Sequence, residues 1–225
     1  MRSSITRRRT AIVLATMLVA GAGSALLAWQ PPAFAQTATG VTFESAFARM
    51  QQAAPGQTAA IDAAVEQFEQ LVAQQPGDPV LRAYLGAATA MRATTTVLPW
   101  RKISHAEDGL ALLDKALAQL TPAHDAPAHR GVPVALETRF VAANTFLRLP
   151  VFFNRNERGR QLLAAVLASP LFDAAPLGFR AAVWLRAGEL AADDREPAQA
   201  RQWYERVAAT AAPQAATARS RLKEL

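Results

Sequence analysis

Only two of the three histidines, His124 and His129, lie near one another, in the stretch Pro122-Ala123-His124-Asp125-Ala126-Pro127-Ala128-His129-Arg130. With Asp125 they would offer imidazole and carboxylate ligands to a metal ion if the segment folded back on itself. No helical H-E-x-x-H accompanies them, so the stretch reads as a solvated loop between helices and no metal is expected. The adjacent acids Glu107-Asp108 and Asp193-Asp194 would diverge by about 100° on a helix and could not share a substrate. Asp108 is expected in the first turn of its helix, where a carboxylate complements the dipole. Asp193-Asp194-Arg195-Glu196-Pro197 reads as a turn between helices. The chain has no cysteine, which removes thiolate nucleophiles, disulfides and Cys-ligated zinc. Beyond residue 35 there is no G-x-S-x-G elbow, no G-x-G-x-x-G and no phosphate loop. The expectation is a protein that is not an enzyme and needs no cofactor.

Two aromatic-basic clusters remain, Pro99-Trp100-Arg101-Lys102 and Phe152-Phe153-Asn154-Arg155. Both read as equivalent connections between helices. On one reading the aromatics plug the connection onto the core while the cations stay in water. On the other they form a duplicated binding edge with Trp100, Arg101, Phe153 and Arg155 as anchors, since Trp and Arg combine large contact area with directed hydrogen bonds.

The elements that must carry these residues are helical. Beyond Gln36 the chain is built of Ala, Leu, Gln, Glu and Arg in stretches punctuated by Pro and Gly, with few β-branched runs. Ile61, Ala64, Val65, Phe68, Leu71 and Val72 recur at helical spacing, and Gln75-Pro76-Gly77-Asp78-Pro79 stops that helix and caps the next. Before Gln36 the pattern changes. Arg2, Arg7, Arg8 and Arg9 precede a charge-free run from Thr10 to Phe43, with Ala33-Phe34-Ala35 as a small-x-small site. That order predicts a secretory signal at residues 1–35. Without it the formal charge falls from +6 to +2, which gives no reason to expect nucleic-acid binding.

Self-similarity turns a list of helices into an array. Gly109-Leu-Ala-Leu-Leu-Asp-Lys-Ala-Leu-Ala118 is echoed by Gly159-Arg-Gln-Leu-Leu-Ala-Ala-Val-Leu-Ala168, and each follows a Leu-Pro pair, Leu98-Pro99 and Leu149-Pro150. Leu85, Ala87, Ala88 and Met91 align with Phe140, Ala142, Ala143 and Phe146. Ala64, Phe68, Leu71 and Pro76, then Leu85-Gly86, and finally Trp184, Ala187, Gly188, Ala200, Tyr204 and Val207 resemble the tetratricopeptide repeat, a 34-residue helical hairpin. The middle units are longer than that, and Arg82 stands where the family favours Trp. The resemblance implies an all-α chain of antiparallel hairpins stacked as a right-handed solenoid, with a concave surface lined by the first helices. The expected organisation is a signal peptide (1–35), an N-terminal extension (36–56), about four hairpins (57–213) and a C-terminal capping helix (214–225).

The resemblance further implies a periplasmic scaffold that binds a protein or peptide. Tyr84, Arg139 and Arg186 would occupy one equivalent place on successive first helices and form a mixed aromatic and basic ladder. The alternative is an accessory subunit of an envelope complex, tethered to the membrane if the signal is retained. N-terminal sequencing of the mature protein is expected to begin at Gln36; an intact Met1 on a membrane-bound form would establish the tethered alternative.

Overall fold

The computed structural model describes residues 40–225. The expected signal segment and its cleavage site fall outside the described residues. Within them the chain is all-α apart from one short ribbon. The helices are α1 (Phe43–Gln52), α2 (Thr58–Gln74), α3 (Pro79–Met91), α4 (Pro99–Ala118), α5 (Val134–Phe146), α6 (Asn156–Leu167), α7 (Leu177–Asp193), α8 (Pro197–Ala208) and α9 (Ala215–Glu224). Strands β1 (Pro127–Ala128) and β2 (Val132–Pro133) pair antiparallel between α4 and α5.

Local chemistry accounts for the boundaries. The Thr42 hydroxyl accepts from Ser45 N–H in a capping box that starts α1. The Asp78 carboxylate accepts from the Val80 and Leu81 N–H groups, and Pro79 occupies the first position of α3. Pro99 does the same for α4, so that helix begins well before Gly109. Two expectations are corrected as a result. Asp108 lies in the middle of α4 and not in a first turn, and Trp100 and Arg101 belong to the first turn of α4 and not to a connection. Phe152 and Phe153 lie instead in a 3-10 turn that ends at Asn154, a left-handed residue at φ 54°, so the two aromatic-basic clusters are not structural equivalents.

Consecutive helices pack in pairs, α1 on α2, α3 on α4, α5 on α6 and α7 on α8, with α9 on α8. Expected as an extension, α1 is thus the first helix of a pair, with Phe43 and Ala46 fully in the core. The α3/α4 pair is antiparallel: Arg82 near the start of α3 bonds Gln119 just past α4, while Ala90 near its end meets Gly109. Arg82, placed where the repeat pattern favours Trp, also donates to the Pro76 carbonyl and so ties the α2–α3 turn to the end of α4. Helices α3 and α5 lie side by side. Apolar residues of α5 enter two core clusters, Val141 and Phe146 the one built on α1 to α4, Leu136 and Ala143 the one built on α6 to α9.

Glycine sets how closely the pairs approach. A Cβ on Gly109 would stand 2.5 Å from the Gly86 carbonyl oxygen and 2.6 Å from the Ala90 nitrogen, both backbone atoms that cannot swing aside. A Cβ on Gly188 would stand 2.5 Å from the Tyr204 ring. Gly178, also helical, has nothing within 4 Å of that position. Gly109→Ala should therefore destabilise the fold by roughly 1–3 kcal/mol through overpacking. Gly178→Ala should be neutral or stabilise by about 0.5–1 kcal/mol. Urea unfolding of both variants checks the pair; equal effects would mean that the α3/α4 approach is not limited by Gly109.

Candidate functional site

A cleft of about 560 Å³ opens along the first helices of successive pairs. Phe47 and Met50 of α1, Ala87 and Met91 of α3, Val141 of α5, and Phe179 and Ala182 of α7 supply its largely apolar walls. Its polar groups are few: Gln51, Tyr84, Thr94, Arg130, Asn144, Thr145, Arg148 and Gln214. That mixture of apolar wall and sparse directed groups is typical of sites that hold an organic segment and set its orientation.

Tyr84 and Arg130 reach the cleft from a buried polar cluster. Glu137, on α5, is 1% exposed. Its Oε1 accepts from the Tyr84 hydroxyl at 2.9 Å and from Arg130, whose Nη2 also donates to the Tyr84 oxygen at 3.2 Å. Burial raises the Tyr84 phenol well above its ordinary value, and the Glu137 charge adds to the rise. Burial works against the Arg130 cation, but Tyr84 and Glu137 outweigh it and leave its pKa raised. Arg130 therefore stays charged. Its guanidinium lies 4.0 Å from the centre of the Phe47 ring, so the cation is covered by α1 from the other side.

The β1–β2 ribbon delivers this cation. Gly131 at φ 71° and His129 at φ 33° make its turn, which the Gly131 N–H closes on the Ala128 carbonyl at 2.7 Å. His129 stacks on Phe43 with ring centres 4.2 Å apart and shares a 2.8 Å hydrogen bond with Asp78. The two histidines thus have separate partners, since His124 receives the Thr121 N–H at 2.9 Å. Among the described residues no group of three His, Asp or Glu converges as a metal site.

The other sequence candidates occupy different surroundings. Arg186 is buried, pairs with Glu189 at 2.9 Å and lines a second, polar cleft of about 540 Å³ with Tyr204, Arg221 and Glu224. Arg139 is half-buried and lines neither cleft. Tyr84, Arg139 and Arg186 therefore share no common wall, because each first helix presents a different register to the cleft. Arg155 at the start of α6 binds Asp114 of α4 at 2.8 Å, joined there by Arg158, and serves to hold two pairs together. Phe153 is half-buried against the first core, whereas Trp100 and Arg101 are exposed. Arg130 and Glu137 were missed as candidates. The available signal was an acid in the apolar run Val132 to Leu136 and beyond, where a charge must find a partner.

No protein-family model matches the chain, and neither the curated proteins nor the solved structures compared with it provide a match.

Two outcomes follow from the cluster. Arg130→Met should cost on the order of 3 kcal/mol because it leaves the Glu137 charge buried without its cation, and Arg130→Met with Glu137→Leu should recover much of the loss. Equal destabilisation by the single and double changes in denaturant melts would contradict this. The His129–Asp78 pair carries a pH dependence. The hydrogen bond to Asp78 raises the His129 imidazole against the opposing effect of burial. Burial pushes the Asp78 carboxyl up, but His129 and the Leu81 and Val80 N–H groups outweigh it and hold the carboxyl low. The raised histidine stabilises the fold below its unfolded pKa and loses that contribution as pH rises through the folded one. The lowered carboxyl contributes above its unfolded pKa and loses as pH falls through the folded one, so both contribute fully between about pH 4 and 6.5. Asp78→Asn retains a helix cap and removes the charge. The stability gap between wild type and this variant should be widest near about pH 5.5 and shrink by about pH 9; a gap independent of pH would exclude the ion pair.

Proposed function

We propose that the chain is an exported, tetratricopeptide-like scaffold that holds an extended segment of a protein or peptide in the cleft lined by α1, α3, α5 and α7. One observation carries this reading: successive first helices contribute to a single, mainly apolar cleft of about 560 Å³. The helical pairs and the glycine-limited crossings at Gly86, Gly109 and Gly188 support a stacked-hairpin solenoid. Regular 34-residue periodicity is not required for such stacking. The first helices start at Phe43, Pro79, Val134 and Leu177, and the widest gap holds the ribbon that brings Arg130 to the cleft.

The lining supports an extended, partly apolar segment as the ligand. Met50, Met91, Val141 and Phe179 suit apolar side chains, and methionine adapts to their shape. Asn144 and Gln214 offer amides to an extended backbone, and Arg148 offers a charge-assisted bond to a carboxylate at the rim. On this reading the protein holds its partner and does not transform it.

A photo-crosslinking side chain placed at Asn144 should capture the partner in envelope extracts, while one placed at exposed Glu205 on α8 should not. Ala182→Trp, which fills the cleft from α7, should weaken that capture at least about tenfold with an unchanged melting temperature. Capture that survives Ala182→Trp and is lost on altering Trp100 and Phe153 would move the site to the connecting edge and overturn the cleft reading.

A further inference from the structure

We propose that the exposed start of α4 is a docking point for an anionic lipid surface, separate from the cleft. Gly109 packs against Ala90, next to the last residue of α3, so the first turns of α4 run past the end of that helix. Pro99 to Ser104 are each exposed. At this end Val97 is 88%, Trp100 66% and Ile103 41% exposed, a concentration of uncovered apolar side chains that the fold itself has no use for.

Charge identifies the occupant. Between Asp78 and Glu107 the sequence has no acid, yet it places Arg101 and Lys102 in the first turn of α4. Neither forms an ion pair among the described residues. The N-cap residue is Leu98, whose side chain accepts nothing from the helix, so among the described residues the Trp100 and Arg101 N–H groups have no partner at the positive end of a 20-residue helix. Lipid phosphates match these cations and N–H groups, while an indole beside Ile and Val settles at the boundary of headgroup and acyl chain. The contact is peripheral: among the described residues no helix is long and apolar enough to cross a membrane.

The absence of cysteine allows one specific label. The full chain carrying Val97→Cys is labelled with the environment-sensitive fluorophore NBD and mixed with phosphatidylcholine vesicles prepared with or without phosphatidylglycerol. The apolar residues 11–29 give the full chain a second reason to bind vesicles, so the readout is protection of the label itself from dithionite. Blue-shifted, protected fluorescence is expected only with phosphatidylglycerol. It should weaken on the order of tenfold in the Arg101→Glu, Lys102→Glu background, and a label at Glu205→Cys should stay accessible. A label at Val97 that remains accessible on vesicles that carry the protein overturns the proposal, as does equal protection on neutral vesicles. Protection that appears without lipid and rises with protein concentration also overturns it, and assigns the surface to a second copy of the chain.

Discussion

A carboxylate that is 1% exposed has to be neutralised where it stands, and the cluster around Glu137 is organised by that demand. The partner cation comes from outside α5, on a ribbon that needs left-handed backbone at His129 and Gly131. Once Arg130 is in place, its other contacts follow. It rests on Phe47 of α1, bonds Tyr84 of α3 and neutralises Glu137 of α5, so one side chain links three first helices. His129, one residue earlier, makes a parallel connection from Phe43 to the cap of α3. The floor of the cleft is therefore held by charge and by hydrogen bonds, in addition to apolar contact.

This arrangement explains why the repeat is uneven. A short turn between α4 and α5 would suffice to stack two hairpins, as the turn between α2 and α3 does. The longer connection carries the ribbon, and with it a cation at the wall of the cleft. The α6 and α7 elements are tied more simply, by Arg160 at the start of α6 and Asp194 at the end of α7. The second half has a core anchored by Trp184, Phe179 and Tyr204, and its buried cation, Arg186, pairs with Glu189 on the same helix, whereas the pair in the first half joins a loop to α5.

Much of the helical scaffold was legible in the sequence because it depends on local signals. Asp78-Pro79 marks a helix start, the apolar spacing of Ile61 to Leu71 matches the buried face of α2, and Gly86 and Gly188 mark close crossings. The start of α4 is not marked by the glycine-centred repeat, because Gly109 serves the close crossing with α3 while Pro99, ten residues earlier, begins the helix. The groove ladder depended on assigning Tyr84, Arg139 and Arg186 one rotational setting, and helices of unequal pairs do not keep one. Arg130 and Glu137 were out of reach of periodicity altogether. Their partnership depends on a positive-φ turn that carries a loop residue back across two helices, and no local pattern encodes that distance.

The Arg130–Glu137 contact holds the first three first helices as a unit, and amide hydrogen exchange of wild type against Arg130→Met tests this most directly. Loss of protection should concentrate in α1, the start of α3 and the start of α5, with α7 and α8 retaining theirs. Protection lost evenly across all helices, or unchanged in α1 and α3, would contradict the claim and place the anchoring of the cleft elsewhere.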